Sequence, residues 1–409
     1  MLLTWSASSG LNPTLSLDFL TPVLDGRITA SGGANGTRVN SSGLIVAATT
    51  PRFDYDPVTL DIRGLLVEEA RTNLLLYSDD FTGAAWATQG TANVTANTVQ
   101  DTDAATASNR YQDVTIANDS STRVAQWRVA KNQAQIVALQ HQVFGGTPVN
   151  YAIALNTATG AYNTASTLGS DPGANATVTD AGGFWLVTIV LENNSTGNTT
   201  ARQRFYPAYA SSLGGGSTVA DVTLTGTATC RYMGLELGSF ATSYIPTAGS
   251  AVTRTADSMT MTGTNFSSWF NASEGTFLSQ YVFSNASSGI GMVYEAATDG
   301  SNNHNVFRNG TSLVASTTNG AVQQAGFTLT DPVSSGTVYT SAYAYKVNDF
   351  AGCLNGGSVQ TDISGTLPTV NALGLGVRPF DGSLSLNGWL RSLRFYPRRL
   401  SNQQLQVLT

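Results

Sequence analysis

Between residues 78 and 247 the chain reads as short apolar runs punctuated by Gly, Asn, Asp and Ser. Residues 123–129 alternate, with Ala125, Trp127 and Val129 on one side and Val124, Gln126 and Arg128 on the other. A period of two is the mark of a strand. Residues 135–143 give a second apolar run. Residues 151–155 alternate and end in the turn formers 156–160, and 184–191 form a longer run opened by Gly182-Gly183. In 201–209, Phe205 and Tyr209 share one parity and Tyr206 takes the other, and 230–237 closes the set. Many short strands separated by turn signals predict a sandwich or jelly roll. A second series, at 277–283, 291–294, 305–307, 312–315, 326–329, 339–346, 352–354 and 373–377, predicts another. One helix is predicted at 403–408, where Ser401 and Gln404 have the spacing of a capping box.

The beginning of the chain is different. Residues 1–16 are small and polar apart from Trp5 and the first leucines, and are read as a tail or anchor. Strand candidates follow at 17–20 and 44–46. Pro51 and Pro57 bracket a predicted turn at 54–56, whose carboxylates can accept backbone N–H bonds.

Charge sharpens this picture. The chain has 20 Lys and Arg and 26 Asp and Glu among 409 residues. Eight of these charges are Arg52, Asp54, Asp56, Asp61, Arg63, Glu68, Glu69 and Arg71, and the apolar runs 65–67 and 74–76 adjoin them. Burying such a stretch is costly unless each charge finds a partner. Arg52, Asp54, Asp56, Arg63, Glu68, Glu69 and Arg71 are therefore expected to form an ionic clasp that joins the N-terminal segment to the rest of the chain. A solvated charged hairpin is the other reading of the same residues.

The remaining composition excludes several classes. A hydrophobic fraction of 41% with many small residues is that of a turn-rich all-β protein rather than a disordered chain. A net charge of −6 argues against nucleic-acid binding. The basic cluster Arg391, Arg394, Arg398 and Arg399 alternates with apolar residues, as the outer face of a strand does. Cys230 and Cys353 are expected as buried free thiols, a bridge between them being the alternative, with no Cys or His spacing that suits a metal. The start lacks the regions of a secretory signal, and no apolar run is long enough to span a membrane, so membrane insertion is not expected.

LDGRIT (24–29), TRVNSSGLI (37–45), TPRFDYDP (50–57), RGLLVEEARTNLLLYS (63–78) and the Phe81/Trp86 spacing together resemble a module of bacteriophage head-spike and tail-fibre proteins. The resemblance covers about residues 17–86. After LDGRIT this chain has Ala30-Ser31-Gly32-Gly33-Ala34-Asn35-Gly36 in place of the serine-arginine-alanine run usual there, a flexible stretch for a rigid one. The resemblance implies a place on the surface of a virion and names no ligand. NLLLYSDDFTGAAW (73–86) and ELGSFATSYIPTAG (236–249) are similar to the two ends of a carbohydrate-binding-module-like jelly roll. EGTF (274–277) and NGWLRSLRFYPRRLSNQQLQVL (387–408) look like the ends of a laminin-G or concanavalin-like lectin sandwich. Tyr396, Arg398 and Leu400 take the places of that family's tyrosine, basic residue and helix start.

Catalysis finds little support. Glu68 and Glu69 are adjacent, so on a strand they face opposite ways and cannot flank one glycosidic bond. Asp79 and Asp80 are adjacent in the same way, while Glu295 and Asp299 bracket a strand end. His141 and His304 have no acid at a fixed spacing, and no serine sits in a nucleophile elbow. The polar loop expected between Asp299 and Arg308 is the best ligand candidate. Asp299, Asn302, Asn303, His304 and Arg308 offer donors and acceptors that suit sugar hydroxyls. A plain solvent loop of turn formers has the same composition. Trp86, Trp127, Trp185, Trp269 and Trp389 read as core, and Tyr111, Tyr206 and Tyr209 could form an exposed stacking surface.

The expected architecture is all-β, an N-terminal attachment and clasp module (1–76) followed by two antiparallel β-sandwiches, a jelly roll (77–248) and a lectin-like sandwich (249–409). The expected role is a non-enzymatic virion structural protein, a head or tail fibre or spike that needs no cofactor. It would attach through Trp5 to capsid, portal, collar or tail proteins, assemble as a homotrimer and adhere to host-surface glycans. A purely structural decoration protein and a glycan depolymerase are the alternatives.

Overall fold

The computed structural model describes residues 12–133, 136–166, 174–210, 223–285 and 289–409. It is nearly all β, and every strand pairing it contains is antiparallel. Four large sheets form two sandwiches.

The central part of the chain builds one sandwich. Its first sheet runs in the order Ala174–Asp180, Phe184–Glu192, Thr122–Ala130, Gly226–Leu237, Thr98–Asp101 and Asn93–Thr95. Its second runs Tyr162–Ser166, Val149–Asn156, Ile136–Phe144, Thr200–Tyr209, Asn109–Thr115 and Ala87–Gln89. The alternation at 123–129 decides what faces the core. Ala125, Trp127 and Val129 pair across to Leu235, Met233 and Cys230, and all six share a core with Val137, Leu139 and Phe205 from the other sheet.

The other sandwich is discontinuous in sequence. Strand Gly388–Tyr396 lies beside Glu274–Phe283, and its opposite edge is shared by two N-terminal strands. Ile62–Val67 pairs with residues 388–390 and Leu15–Asp18 with residues 392–395. Arg52–Tyr55 extends this sheet beyond Ile62–Val67. In the facing sheet Thr29–Ser31 adds to Ser258–Thr262. Leu15, Leu17, Phe19, Phe53, Leu65 and Val67 are consequently in the same core as Phe277, Tyr294, Leu373, Leu393 and Phe395. Gly64, at φ 130°, permits the close crossing, because a Cβ there would strike the carbonyl oxygen of Leu390.

Residues 12–67 thus do not form a module apart, contrary to the expectation for 1–76. They complete the sandwich that residues 258–400 begin. The physical reason is edge pairing, since the open edge of Gly388–Tyr396 would otherwise leave backbone groups unsatisfied over a dry core. The segment 12–16, expected as tail, contains paired and fully buried Leu15. The central sandwich is an insertion, entered along Arg71–Asn73 and left along Val252–Arg254, and these two strands pair with each other. Trp5 lies outside the described residues. The C-terminal helix Asn402–Leu408 has both halves of its capping box, with Gln404 N–H donating to Ser401 Oγ and the Gln404 side chain accepting from Ser401 N–H. Leu400 and Leu405 pack it on the outer side of the sheet against Leu278, Ala344 and Cys353.

Candidate functional site: the cleft between the sandwiches

The clasp residues stand where the two sandwiches meet. Arg52 is fully buried and reaches Glu68 at 2.7 Å and Asp257. Arg254, also fully buried, reaches Glu68 at 2.9 Å. Ser243, from the segment leaving the inserted sandwich, closes the group. Its hydroxyl donates to Glu68 at 2.7 Å and accepts from Arg52 at 2.8 Å and Arg254 at 2.9 Å. Two cations and two anions are thereby matched, with Glu68 N–H donating to Asp257 at 2.9 Å. Burial alone would raise the Glu68 carboxyl; Arg254 and Arg52 overcome this and hold it at about 2.

The other clasp residues divide by exposure. Asp54 is buried and accepts from Val39 N–H at 2.7 Å and the Trp389 indole at 2.9 Å; burial raises its pKa against these bonds. Asp56 pairs with Arg63 at 2.8 Å and accepts from Val58 and Thr59 N–H, so the turn falls after Asp56 rather than on 54–56. Arg71 pairs with Glu69 at 2.6 Å and lies over the Phe240 ring. Gly238 makes room for that guanidinium, which would overlap any Cβ there. The clasp expected from the sequence does not include Arg254, Asp257 or Ser243; the first two lie in the small-residue stretch 249–257. Arg254 and Asp257 are two charges in an otherwise uncharged stretch, and that contrast is the signal the sequence offers.

Beside the clasp is a cleft of about 210 Å³. One wall is the hairpin of Thr37–Val39 and Ile45–Ala47 with Asp54, Arg63 and Trp389. The other is the outer face of the inserted sheet, with Gln126, Arg128, Leu186 and Tyr232, together with Thr242, Ser243 and Tyr244. Tyr232 and Tyr244 stack with ring centres 3.8 Å apart. Trp389, expected in the core, is only partly buried; its ring faces the Arg63 guanidinium at 4.9 Å. Thr37 Oγ1 donates to Tyr244 O at 2.6 Å and ties the walls together. The cleft takes its form from strand parity. The face of Thr122–Ala130 opposite its core carries Val124, Gln126 and Arg128, and the last two line the cleft.

The stretch 299–308 is a tight hairpin rather than a loop. Ile290–Asp299 pairs directly with Asn302–Asn309. Asp299 caps the turn by accepting from Ser301 N–H, and Asn302 donates to Asp299 at 3.1 Å. Asn303, His304 and Arg308 are buried. His304 stacks on Tyr345 and its Nδ1 is 2.7 Å from Thr317 Oγ1; burial lowers its pKa to about 3. Arg308 donates to Gly310 O at 2.9 Å. Of the five residues expected there to contact glycan, Asp299 and Asn302 at the turn are the ones with appreciable exposure. Tyr206 and Tyr209 are buried, and Tyr111 is covered by Arg202 at 4.4 Å. Trp185, expected in the core, is partly exposed beneath Lys131 at 4.1 Å. His141 is buried against Gln203, and burial lowers its pKa to about 3. Cys230 and Cys353 are free and buried. Among the described residues no group of three His, Cys, Asp or Glu could hold a metal, and no helix is long and apolar enough to cross a membrane.

No protein-family model matches the sequence, and no curated protein matches it. Solved structures give partial likenesses. The CBM40 of the Ruminococcus gnavus IT-sialidase, bound to α2,3-sialyllactose, is 13% identical, covers 34% of this chain and 84% of its own, and has a TM-score of 0.29. The NanB sialidase of Streptococcus pneumoniae is 11% identical over 36% of this chain and 26% of its own, with a TM-score of 0.31. The binding domain of botulinum neurotoxin serotype D is 10% identical over 37% and 40%, with a TM-score of 0.30. Likeness at this level assigns neither a ligand nor a site to this chain.

Proposed function

We propose that the protein is a non-enzymatic component of a virion surface that adheres to host glycans through the cleft between its sandwiches. The observation that carries the binding part is the cleft itself. A partly exposed tryptophan, a stacked tyrosine pair, hydroxyls and guanidinium groups line a recess the size of a single sugar ring, between two bodies held together by a buried ionic group. Apolar ring faces and fixed polar groups are what a sugar's two kinds of surface need. The virion part is supported by the resemblance of residues 17–86 to phage spike and fibre modules. That segment supplies strands to both sheets of the discontinuous sandwich and most of the clasp.

Adhesion without catalysis agrees with the state of the acids. Glu68 is engaged by two arginines and a serine, Asp54 by two N–H donors, and Asp180, the third acid lining the cleft, by Lys131 and Gly182 N–H. Acids held in this way are poorly placed to move a proton to a glycosidic oxygen. A single site of this kind binds at about millimolar affinity, and many copies on one particle raise avidity by roughly two to four orders of magnitude. The test is binding of the full chain, displayed in many copies on beads, to an array of surface glycans, for wild type and Trp389→Ala. Binding that Trp389→Ala abolishes is expected. No binding to any glycan would leave a purely structural decoration role, and release of new reducing ends would establish a depolymerase.

A further inference from the structure

We infer that the cleft selects a sugar bearing a carboxylate, and that Arg128 is the residue that receives it. This rests on the reading of the cleft as a glycan site. Arg128 lines the cleft and is only 7% exposed. Its Nε has no hydrogen-bond partner, and its Nη2 reaches Ala181 O at 3.5 Å, the outer limit of a hydrogen bond. The Phe184 ring lies 4.4 Å from the guanidinium and holds its plane. Among the described residues no carboxylate is within ion-pair distance of it. A buried guanidinium in that state is costly and is ordinarily paired.

The surrounding charges can be paired off one by one. Arg52 and Arg254 answer Glu68 and Asp257. Lys131 answers Asp180, which also accepts from Gly182 N–H. Arg63 answers Asp56. What remains at the cleft is Arg128 on one wall and Arg38 on the other, against Asp54; Glu236, buried behind the first wall, is engaged by Gln126 and Thr242 and pairs with neither arginine. Arg38 donates to Phe53 O at 3.1 Å and forms no ion pair among the described residues. Both oxygens of Asp54 are already held by N–H donors. The cleft therefore carries a cation in want of an anion, and guanidinium and carboxylate make a planar, two-bond match. Trp389 and the tyrosine pair would take the ring, and Arg128 the acid group.

The test uses the full chain and titrates four ligands by NMR line broadening. These are a sialic acid, glucuronic acid, the methyl ester of glucuronic acid, and inorganic phosphate. Both acids are expected to bind at least about tenfold more tightly than the ester. Arg128→Gln should remove the difference, while Arg128→Lys keeps part of it. A melting curve accompanies each variant; Arg128→Gln should melt no lower than wild type, because it removes a buried charge that has no carboxylate partner and keeps a donor for Ala181 O. Equal binding of acid and ester overturns acid selectivity and leaves the glycan reading intact. Binding of phosphate as tight as that of the acids also overturns it, since the site then takes any small anion. Failure of every sugar overturns both readings.

Discussion

Replacing Arg52 with alanine removes one guanidinium from the centre of the clasp and leaves two carboxylates with one cation. Glu68 keeps Arg254, but Asp257, fully buried, loses its only ion pair among the described residues. Donors to Thr37 O at 2.9 Å and Ser243 Oγ at 2.8 Å go as well. Breaking a buried pair by removing one partner costs about 3–5 kcal/mol, because the remaining charge stays uncompensated. The lost neutral bonds add about 1 kcal/mol each at most and overlap with that figure. A loss of about 4 kcal/mol is expected. For a domain of this size 1 kcal/mol moves Tm by roughly 2–4 °C, so a fall of about 8–16 °C should appear. The assay is calorimetry, with Arg27→Ala as the control. The Arg27–Asp25 pair has the same chemistry at 2.7 Å, but its side chains are about a third exposed, and such pairs contribute about 0–1 kcal/mol. If Arg52→Ala and Arg27→Ala melted together, the clasp would have no more structural importance than a surface pair, and the matching of buried charges would be wrong.

Three further outcomes are expected. Burial pushes the Glu236 and Glu295 carboxyls up to about 7, from an ordinary value of 4.5, so both keep a proton in the folded state that the unfolded chain releases. Stability should then fall as pH rises from about 5 to about 8, and Glu236→Gln should flatten that slope of Tm against pH; Glu68, held at about 2, acts oppositely and its contribution is lost only as pH falls from 4.5 toward 2. Removing residues 1–16 deletes Leu15 from the core and from its pairing with Phe395, and should cost about 2–5 kcal/mol more in urea unfolding than removing 1–11; equal stabilities would show that the strand Leu15–Asp18 is dispensable. Light scattering should return three times the 42.8 kDa chain mass if the protein is the homotrimer that its resemblance to spikes and fibres implies, and a single chain mass would refute self-association of the isolated protein.

Much of the local structure was determined by the sequence alone. The period of two at 123–129, the turn formers at 156–160 and the Ser401/Gln404 capping box each act over a few residues, and each is seen in the structure. The concentration of charge from Arg52 to Arg71 likewise announced a place where ions must be paired, because the adjoining leucines have to be buried. Which partner each charge takes was decided by tertiary structure. Arg52 finds Asp257 across 205 residues, and Ser243 reaches both arginines from the far end of the inserted sandwich. The same holds for the domain plan. Leu15–Asp18 and Ile62–Val67 are ordinary short strands in sequence, and only the open edge of Gly388–Tyr396, far along the chain, gives them a sheet to join. Arg128 shows the limit most directly. Its parity put it on the outer face of a strand, where a charge is normally hydrated; a second sandwich packed over that face turned it into a buried cation beside a cleft. Strand period is a property of neighbouring residues, whereas desolvation depends on whatever the rest of the chain lays on top.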